Sequence, residues 1–243
     1  EWEPYAPGLK AIEDGAEMRR RFLLAFERAE KSDDEAERDA YLTFVVVGGG
    51  PTGVELSGAM PTIARKALYP DFRRIDTRNS RVILLEGGPR VLPSFPDDLS
   101  DVARQSLEEI GVEVRTNSIV TKVEPDAVYV GDERIETRTV FWAAGNAASP
   151  LGAMLGAPLD RSGKVMVNED LSVPGRPEVF VAGDLALVVR ADGRPVPGVC
   201  PAANQEGTAA ARNVRRLIGQ RPTVNFRYRN KGDVAVIGRL AGV

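Results

Sequence analysis

Patterns typical of buried strands and amphipathic helices alternate along the chain. Two continuous apolar runs, TFVVV at Thr43–Val47 and RVILL at Arg81–Leu85, are typical of strands buried on both faces of a parallel sheet. A hydrophobic repeat at three- and four-residue steps predicts a helix over residues 12–30, and a second helix is predicted over residues 51–68. This alternation predicts an α/β fold with a largely parallel sheet.

The rest of the chain continues the alternation and contains one turn-rich stretch. Helices are predicted over residues 97–110 and over residues 201–219, because a proline opens each and a glycine closes it. Further strands are predicted at residues 112–115, 139–144, 164–167, 178–182 and 234–237. Those at 139–144 and 178–182 are predicted to be buried. A short antiparallel meander is predicted over residues 119–135. The turns near residues 145–162 predict the boundary between two lobes.

The composition narrows the function classes. Of the 243 residues, 43% are hydrophobic and 28% are charged, which is typical of a folded soluble protein. The net charge of −3 and the aromatic content of 6% argue against a nucleic-acid partner. The absence of histidine excludes Ser-His-Asp and Cys-His catalysis, and no metal site is predicted. Because Cys200 is the one cysteine, an internal disulfide and a dithiol redox pair are excluded.

The sharpest chemical signal is the loop GGGPTG, which follows the first predicted strand and opens a predicted helix. It fits G-x-G-x-x-G with Gly48, Gly50 and Gly53. Gly48 permits the tight turn, Gly50 lets the backbone approach a pyrophosphate, and Gly53 lets the helix pack against the strand. The start of the helix, at Pro51 and Thr52, then presents N–H groups and the positive end of the helix dipole to the phosphates. The loop predicts dinucleotide binding; the alternative is a glycine-rich turn that serves packing alone.

An acidic residue ends the second predicted strand. Glu86 lies 33 residues after Gly53, a gap longer than the usual one of about 20, and the polar stretch 71–80 supplies the extra length. A carboxylate here can accept hydrogen bonds from the adenosine ribose and repels a 2′-phosphate, which favours NAD(H) over NADP(H). Arg90, four residues on, would weaken this preference. The alternative is that Glu86 is an ordinary solvated strand end.

Two further acids have both a structural and a functional interpretation. Glu55 lies in the first turn of the helix, where it either complements the helix dipole or faces the nicotinamide. Asp184 follows Gly183 at the end of the predicted strand 178–182. It is either a turn former or an acid that binds a second dinucleotide cofactor, to which Gly183 permits close approach. Residue type alone leaves both choices open.

Six segments resemble one family of flavoproteins, in order and over nearly the whole chain. They are FVVVGGGPTGVELSGAM (Phe44–Met60), RVILLEGGPRVLP (Arg81–Pro93), VFWAAG (Val140–Gly145), EVFVAGDLA (Glu178–Ala186), PAANQEGTAAARN (Pro201–Asn213) and NKGDVAVIGRLAGV (Asn230–Val243). With the front segment EWEPYAPGLKAIEDGAEMRRR, they are similar to type II NADH:quinone oxidoreductase, the single-subunit, non-proton-pumping NADH dehydrogenase of respiratory membranes. Several blocks are shared with related pyridine-nucleotide flavoproteins. The resemblance implies a Rossmann-like NAD(P)-binding domain of the two-dinucleotide-binding-domain type, with a partial second lobe for FAD.

The resemblance also implies an activity and roles for residues in both halves. NADH would deliver a hydride to FAD, and two electrons would then pass to a quinone. The residues implied to face the reacting groups are Glu55 at the nicotinamide and flavin, Gln205 at the isoalloxazine and quinone, and Lys231 near the flavin. The residues implied to bind FAD are Gly183, Asp184 through the ribityl chain, Ala202, Ala203 and Gln205. Ala144 and Gly145, which close the VFWAAG block, are counted with the glycine loop and Glu86 in the NADH site.

Two departures from the family pattern accompany the resemblance. Glu206 stands where the family commonly has a second glutamine, so its part in quinone contact is open. No second G-x-G-x-x-G precedes Gly48, and the sequence has no initiator Met and no membrane-binding tail. We therefore expect an interior fragment, with a helical link at 1–41, an NADH domain at 42–148 and the C-terminal part of the FAD domain at 149–243. Such a fragment should bind NADH and hold FAD poorly.

The expected partners follow from the same resemblance. They are NADH, a quinone and the cytoplasmic face of a membrane, which the parent protein would reach through a segment absent from this sequence. Homodimer formation is left open. Two other classes also stay open: a ferredoxin- or rubredoxin-type NADH reductase, and a non-catalytic dinucleotide-binding module. The helix that begins at Pro201 and the Lys231-Gly232 block favour the quinone reductase.

Overall fold

The chain forms two structural units. The computed structural model describes residues 2–145, 148–190, 192–232, 234–238 and 241–243. One unit contains Glu1–Gly145 with Asp233–Val243, and the other contains Asn146–Gly232. Asn146 and Ala147, which belong to the predicted boundary stretch, lie outside the described residues.

The elements of the first unit alternate as the hydrophobic pattern predicts. In chain order they are α1 (Ile12–Lys31), α2 (Glu35–Leu42), β1 (Thr43–Val47), α3 (Pro51–Thr62), β2 (Arg81–Leu85), α4 (Asp97–Glu109), β3 (Val112–Arg115), β4 (Val120–Val123), β5 (Ala127–Val130), β6 (Glu133–Glu136) and β7 (Thr139–Trp142). The central sheet has the order β3-β2-β1-β7 and is parallel throughout. The predicted α/β fold with a parallel sheet is therefore confirmed.

Side chains alternate between two cores on the two faces of β1. Phe44 and Val46 point into the larger core with helices α1, α3 and α4, where the rings of Phe22 and Phe44 lie 4.8 Å apart. Val45 and Val47 point into the smaller core, which the antiparallel meander β4-β5-β6 covers. A strand buried on both faces needs an uninterrupted apolar run, which is why TFVVV predicted this strand correctly.

The carboxyl ends of β1, β2 and β7 meet at one edge of the sheet. Val47 of β1 pairs with Leu85 of β2 and with Trp142 of β7, so the loops that follow the three strands start side by side. Ligands of doubly wound sheets bind at such carboxyl ends. The helix predicted over residues 51–68 is α3 followed by a wider π-helical turn at Ile63–Leu68. Pro61, two residues before that turn, lacks the N–H that a regular α-helix uses.

The second unit is built from short elements. They are α5 (Leu151–Met154), β8 (Val165–Met166), β9 (Ser172–Val173), β10 (Arg176–Phe180), β11 (Ala186–Leu187) and α6 (Cys200–Ile218). The prediction of a buried strand at 178–182 is wrong in detail: β10 begins at Arg176, and its first three residues are exposed. Among the described strands, β10 pairs with the two-residue β9 alone, and only its end, at Val179 and Phe180, packs against the core of the second unit.

The last described segment returns to the first unit. Strands β12 (Val236–Ile237) and β13 (Ala241–Gly242) form an antiparallel pair that contacts α3. A Cβ added at Gly58 of α3 would lie 2.9 Å from the backbone nitrogen of Gly238, so helix and hairpin touch through backbone. This differs from the predicted division, which placed all of 149–243 in the second domain and 1–41 in a link. Within the described ranges, no helix combines the length and the apolar character needed to cross a membrane.

Candidate nucleotide-binding site

The turn after β1 requires a glycine at its first position. Gly48 has a φ of +108°, a region that side-chain-bearing residues rarely adopt. Its N–H donates to the carbonyl of Leu85 at 2.7 Å, which fixes the loop to the end of β2. A Cβ added at Gly48 would lie 2.6 Å from the backbone nitrogen of Ala144. The chain can therefore turn here, against the end of β7, only because the residue is glycine.

The other two motif glycines meet different surroundings. A Cβ at Gly53 would lie 1.8 Å from the carbonyl oxygen of Gly48, so the first turn of α3 packs directly on the loop backbone. A Cβ at Gly50 would meet nothing within 4 Å. Gly50 is the N-cap of α3, and Pro51 and Thr52 after it are exposed. The loop thus leaves an open space before the first-turn N–H groups, which a helix cannot pair internally. These features fit a bound pyrophosphate.

Glu86 is tied to this loop. Its Oε2 accepts the N–H of Gly49 at 2.5 Å, and its Oε1 accepts the N–H of Gly88 at 2.6 Å. A carboxylate has about four acceptor positions, so both oxygens keep capacity for ribose hydroxyls. Arg90, expected to weaken the preference for NAD(H), forms an ion pair with Asp97.

Gly49 is a site residue that the motif analysis missed. A Cβ at this position would lie 2.9 Å from Oε2 of Glu86, and the Gly49 carbonyl accepts the N–H of Leu92 at 2.7 Å. Leu92 is fully buried, with a φ of +49°. Hydrogen bonds therefore hold both the N–H and the carbonyl of Gly49. The signal in the sequence is a third glycine at a position that the motif leaves variable.

The end of β7 lies against the same loop. The N–H of Ala143 donates to the carbonyl of Val47 at 2.7 Å, and the indole N–H of Trp142 donates to the carbonyl of Ala144 at 2.6 Å. Gly145 follows with a φ of +75°. The structure therefore brings Ala144 to Gly48, as the predicted site requires.

Glu55 has a contact that the sequence did not indicate. Its side chain is exposed, and its Oε1 accepts the N–H of Val236 in β12 at 3.1 Å. One carboxylate oxygen thus fastens the returning hairpin to α3. The role of Glu55 at the nicotinamide stays a prediction.

In the second unit, a tight turn carries the predicted flavin residues. Gly183 has a φ of +74° and begins the 3-10 turn Gly183–Leu185, on which Asp184 is exposed. A Cβ at Gly183 would lie 3.5 Å from the Cβ of Ala203, and a Cβ at Gly198 would lie 3.3 Å from Oδ1 of Asp184. Ala202 is buried, with 1% of its surface exposed. The structure thus gathers four predicted residues, Gly183, Asp184, Ala202 and Ala203, at the start of α6.

The buried side chain of Glu206 holds this turn through a hydrogen bond. Its side chain is 3% exposed, and its Oε2 accepts the N–H of Gly183 at 2.6 Å. Burial raises the pKa of the Glu206 carboxyl, and the Gly183 N–H and Lys164 act in the opposite direction while Asp184 adds to the rise. In the sequence, Glu206 is visible only as a departure from the family pattern, because a pairing across 23 residues leaves no local signal.

We expect Glu206→Gln to stabilise the protein at neutral pH and not at acid pH. The pKa of Glu206 is higher in the folded state than its ordinary value of 4.5, so the proton that it binds stabilises the fold. This stabilisation is complete below pH 4.5, and it is lost as the pH rises through the folded-state pKa. Glutamine keeps an acceptor for Gly183 without the charge, so the variant should have a higher thermal midpoint than the wild type above that range. Thermal midpoints of wild type and variant at acid and neutral pH measure this. The exposed Glu178, changed to glutamine, is the control; an equal gain at both pH values would contradict the prediction.

Gln205 and Lys231 lie along a groove in the second unit. The Gln205 amide donates to the carbonyls of Pro201 at 3.1 Å and Arg229 at 3.0 Å, and it accepts the Arg229 N–H at 3.0 Å. Lys231 is exposed at the same groove. Within the described part of the chain, no group of three His, Cys, Asp or Glu residues is placed to hold a metal ion.

Comparison with known proteins agrees with the glycine loop and the parallel sheet. Residues 3–207 match the family model described as pyridine nucleotide-disulphide oxidoreductase. The chain therefore belongs to the pyridine nucleotide-disulphide oxidoreductase family.

Its relatives are more specific. The chain is 43% identical to the type II NADH:quinone oxidoreductase NdhA of Mycobacterium tuberculosis, a match that covers 100% of this chain and 54% of that protein. It is 41% identical to Ndh of the same organism, covering 98% of this chain and 53% of that protein. The predicted resemblance to type II NADH:quinone oxidoreductases is confirmed, and the chain spans about half the length of these curated relatives.

A solved structure shares the fold. The structure of NDH2 from Plasmodium falciparum in complex with NADH superposes with a TM-score of 0.83 at 19% identity, covering 99% of this chain and 65% of that one. The predicted Rossmann-like fold class of the two-dinucleotide flavoproteins is thereby confirmed.

Proposed function

We propose that this chain provides the NADH site and part of the FAD site of a type II NADH:quinone oxidoreductase. The observation that carries the proposal is the loop after β1. Gly50 faces open space there, and the Glu86 carboxylate accepts the N–H of Gly49. The names of the curated relatives support the choice of quinone as the acceptor.

The residues of the first unit divide the work of binding NADH. The first-turn N–H groups of α3 would hold the pyrophosphate, and Gly50 would let it approach the backbone. The free acceptor positions of Glu86 would bind the ribose hydroxyls. Ala144 and Gly145 would line the loop from the end of β7.

The residues of the second unit fit one end of FAD. Asp184 is exposed on a glycine turn and would accept hydrogen bonds from the ribityl chain, while the small side chains of Ala202 and Ala203 would let the flavin ring approach the backbone. Bound FAD supplies a two-electron carrier between NADH and quinone. Gln205 and Lys231 would orient the flavin ring and the quinone, and Glu55 would face the nicotinamide. The protein's contribution is orientation, which in such reactions is worth up to about 7–11 kcal/mol.

The proposal extends to where the whole protein works. A quinone with an apolar body is taken from the bilayer, so we place the activity at the cytoplasmic face of a membrane. Assembly as a homodimer is compatible with the proposal and is not needed for it.

Titration of the chain with NADH tests the proposal directly. Trp142 lies beside the loop and donates to Ala144, so its fluorescence should fall to a plateau as NADH binds. A response that does not saturate would contradict the proposal. Addition of FAD to the same sample, followed by gel filtration, then measures whether the chain retains flavin.

Replacing Glu86 by glutamine should weaken NADH binding and relax the choice of nucleotide. The change removes the charge that accepts the Gly49 and Gly88 N–H groups and that repels a 2′-phosphate. A hydrogen bond to a charged group is worth about 1.5–3 kcal/mol, so NADH affinity should fall roughly tenfold or more. Parallel titrations with NADH and NADPH give the ratio of the two dissociation constants, which should move toward one. The exposed Glu27, changed to glutamine, should leave the ratio unchanged; an unchanged ratio in the Glu86 variant would contradict the assigned role.

A further inference from the structure

A groove runs along α6 in the second unit. It has a volume of about 1010 Å³ and lies between α6 and the extended segment 221–231. Two amide side chains fasten that segment to the helix. Asn213, which is 2% exposed, donates to the Val224 carbonyl and accepts its N–H, both at 2.9 Å, and Gln205 makes the same pair of bonds with Arg229. The walls are therefore set by the fold.

The groove is strongly cationic. Six arginines and Lys231 line it, and no aspartate or glutamate does. The six, called here the arginine cluster, are Arg212, Arg215, Arg216, Arg221, Arg227 and Arg229. One of the residues that line the groove, Asn225, contacts an acidic residue. Its side-chain amide donates a hydrogen bond to the carboxylate of Glu169. This local positive charge contrasts with the net charge of −3 of the whole chain.

The absence of ion pairs separates the arginine cluster from most of the nineteen other described arginines, although eight of those also have none. Elsewhere in the described ranges, eleven arginines form ion pairs with aspartate or glutamate. No member of the cluster forms an ion pair with an aspartate or glutamate among the described residues. Arg216 does form a hydrogen bond, which its Nε–H donates to the Pro222 carbonyl at 2.5 Å. The helix dipole favours Arg215 and Arg216 in the last turn of α6, but it does not account for Arg221, Arg227 and Arg229 on the opposite wall.

We propose that this groove binds a phosphate-bearing anion through the arginine cluster. Uncompensated like charges repel one another, and a polyanion between the walls would neutralise them. The guanidinium group binds phosphate oxygens through two parallel hydrogen bonds, and six of the seven cations are arginine. The volume is at the upper end of the about 300–1,000 Å³ typical of ligand sites, which suits several linked phosphates.

Gln205 and Lys231 of the proposed redox site also line this groove, and the arginine cluster extends beyond Gln205 along α6. Arg212 and Arg216 lie 7 and 11 residues after Gln205 on α6, which is about 10–16 Å along a helix. The arginine cluster also lies beyond residue 207, where the match to the family model ends. NADH, in contrast, is assigned to the loop after β1 in the first unit.

Binding of inorganic tripolyphosphate to the whole chain tests the proposal by calorimetry. We expect saturable binding that weakens as salt rises, with citrate, a carboxylate anion, binding much more weakly. Sedimentation with phosphatidylglycerol vesicles, compared with phosphatidylcholine vesicles, distinguishes a lipid phosphate from a free one. Binding to tripolyphosphate or to the anionic vesicles supports the proposal. Binding to neither, or citrate binding equal to that of tripolyphosphate, overturns it.

Two triple variants with the same change of charge separate the groove from general electrostatics. The first is Arg212→Gln with Arg215→Gln and Arg227→Gln. The second changes Arg19, Arg161 and Arg176, which are exposed outside the groove, to glutamine. At about 1 kcal/mol per cation, the first should weaken binding roughly 100-fold and the second only slightly. Equal losses overturn the proposal. Unchanged thermal midpoints and unchanged NADH titrations in both variants show that folding and the nucleotide site are intact.

Discussion

Gly53→Ala is expected to destabilise the first unit more than any other single change considered. The added Cβ would lie 1.8 Å from the carbonyl oxygen of Gly48, a backbone atom that cannot move aside as a side chain can. The start of α3 must then shift away from β1, and overpacking of this kind costs about 3 kcal/mol. Urea unfolding followed by tryptophan fluorescence measures the change, and NADH binding should fall with it.

A glycine in α6 provides the matched control. A Cβ at Gly207 would meet nothing within 4 Å, so Gly207→Ala should be neutral or should stabilise the helix by about 0.5–1 kcal/mol. If Gly53→Ala were tolerated as well as Gly207→Ala, the close contact between α3 and the loop would not exist in solution.

Gly50→Thr is expected to weaken NADH binding while leaving the fold intact. Gly50 has a φ of −71° and a ψ of 179°, which any residue can adopt, and threonine caps a helix about as well as glycine. Its side chain would occupy the open space that we assign to the pyrophosphate. Losing one charge-assisted hydrogen bond costs about 2 kcal/mol, so NADH should bind roughly 30-fold more weakly.

The measurement pairs an NADH titration with a thermal midpoint for each variant. Gly131→Asn is the control, because a Cβ there also meets nothing within 4 Å and its φ of +58° suits asparagine. Wild-type affinity in Gly50→Thr would show that no phosphate rests against this part of the loop.

The first unit could be predicted well because its signals are local. The two inner strands of the central sheet, β1 and β2, are continuous apolar runs after their first residue, and the run at 43–47 has the bounds of β1. The glycine loop is likewise local, because Gly53 is required by its contact with the carbonyl of Gly48, five residues before it. Such features depend on a few adjacent residues, and the pattern of the sequence therefore records them.

Other features depend on partners far apart in the chain. The bond from Gly49 to Glu86 spans 37 residues, and the bonds between Gln205 and Arg229 span 24. The run EVFVA has the composition of a buried strand, yet the exposure of β10 is decided by what packs beside it. Composition predicts a preference for burial, whereas the partner that provides burial is set by tertiary structure.

The return of the chain to its first unit sets the order of events during synthesis. The chain leaves that unit after Gly145 and rejoins it only at Asp233, and the side chains of Ala235 and Ile237 are 0% and 1% exposed in its core. Domains usually fold as they emerge from the ribosome, the amino-terminal one first. Here the amino-terminal half must wait for its last eleven residues until the whole inserted lobe has been translated. A nascent chain paused inside that lobe therefore lacks Ala235 and Ile237, and the apolar side chains that these two residues cover wait for the end of translation of the lobe.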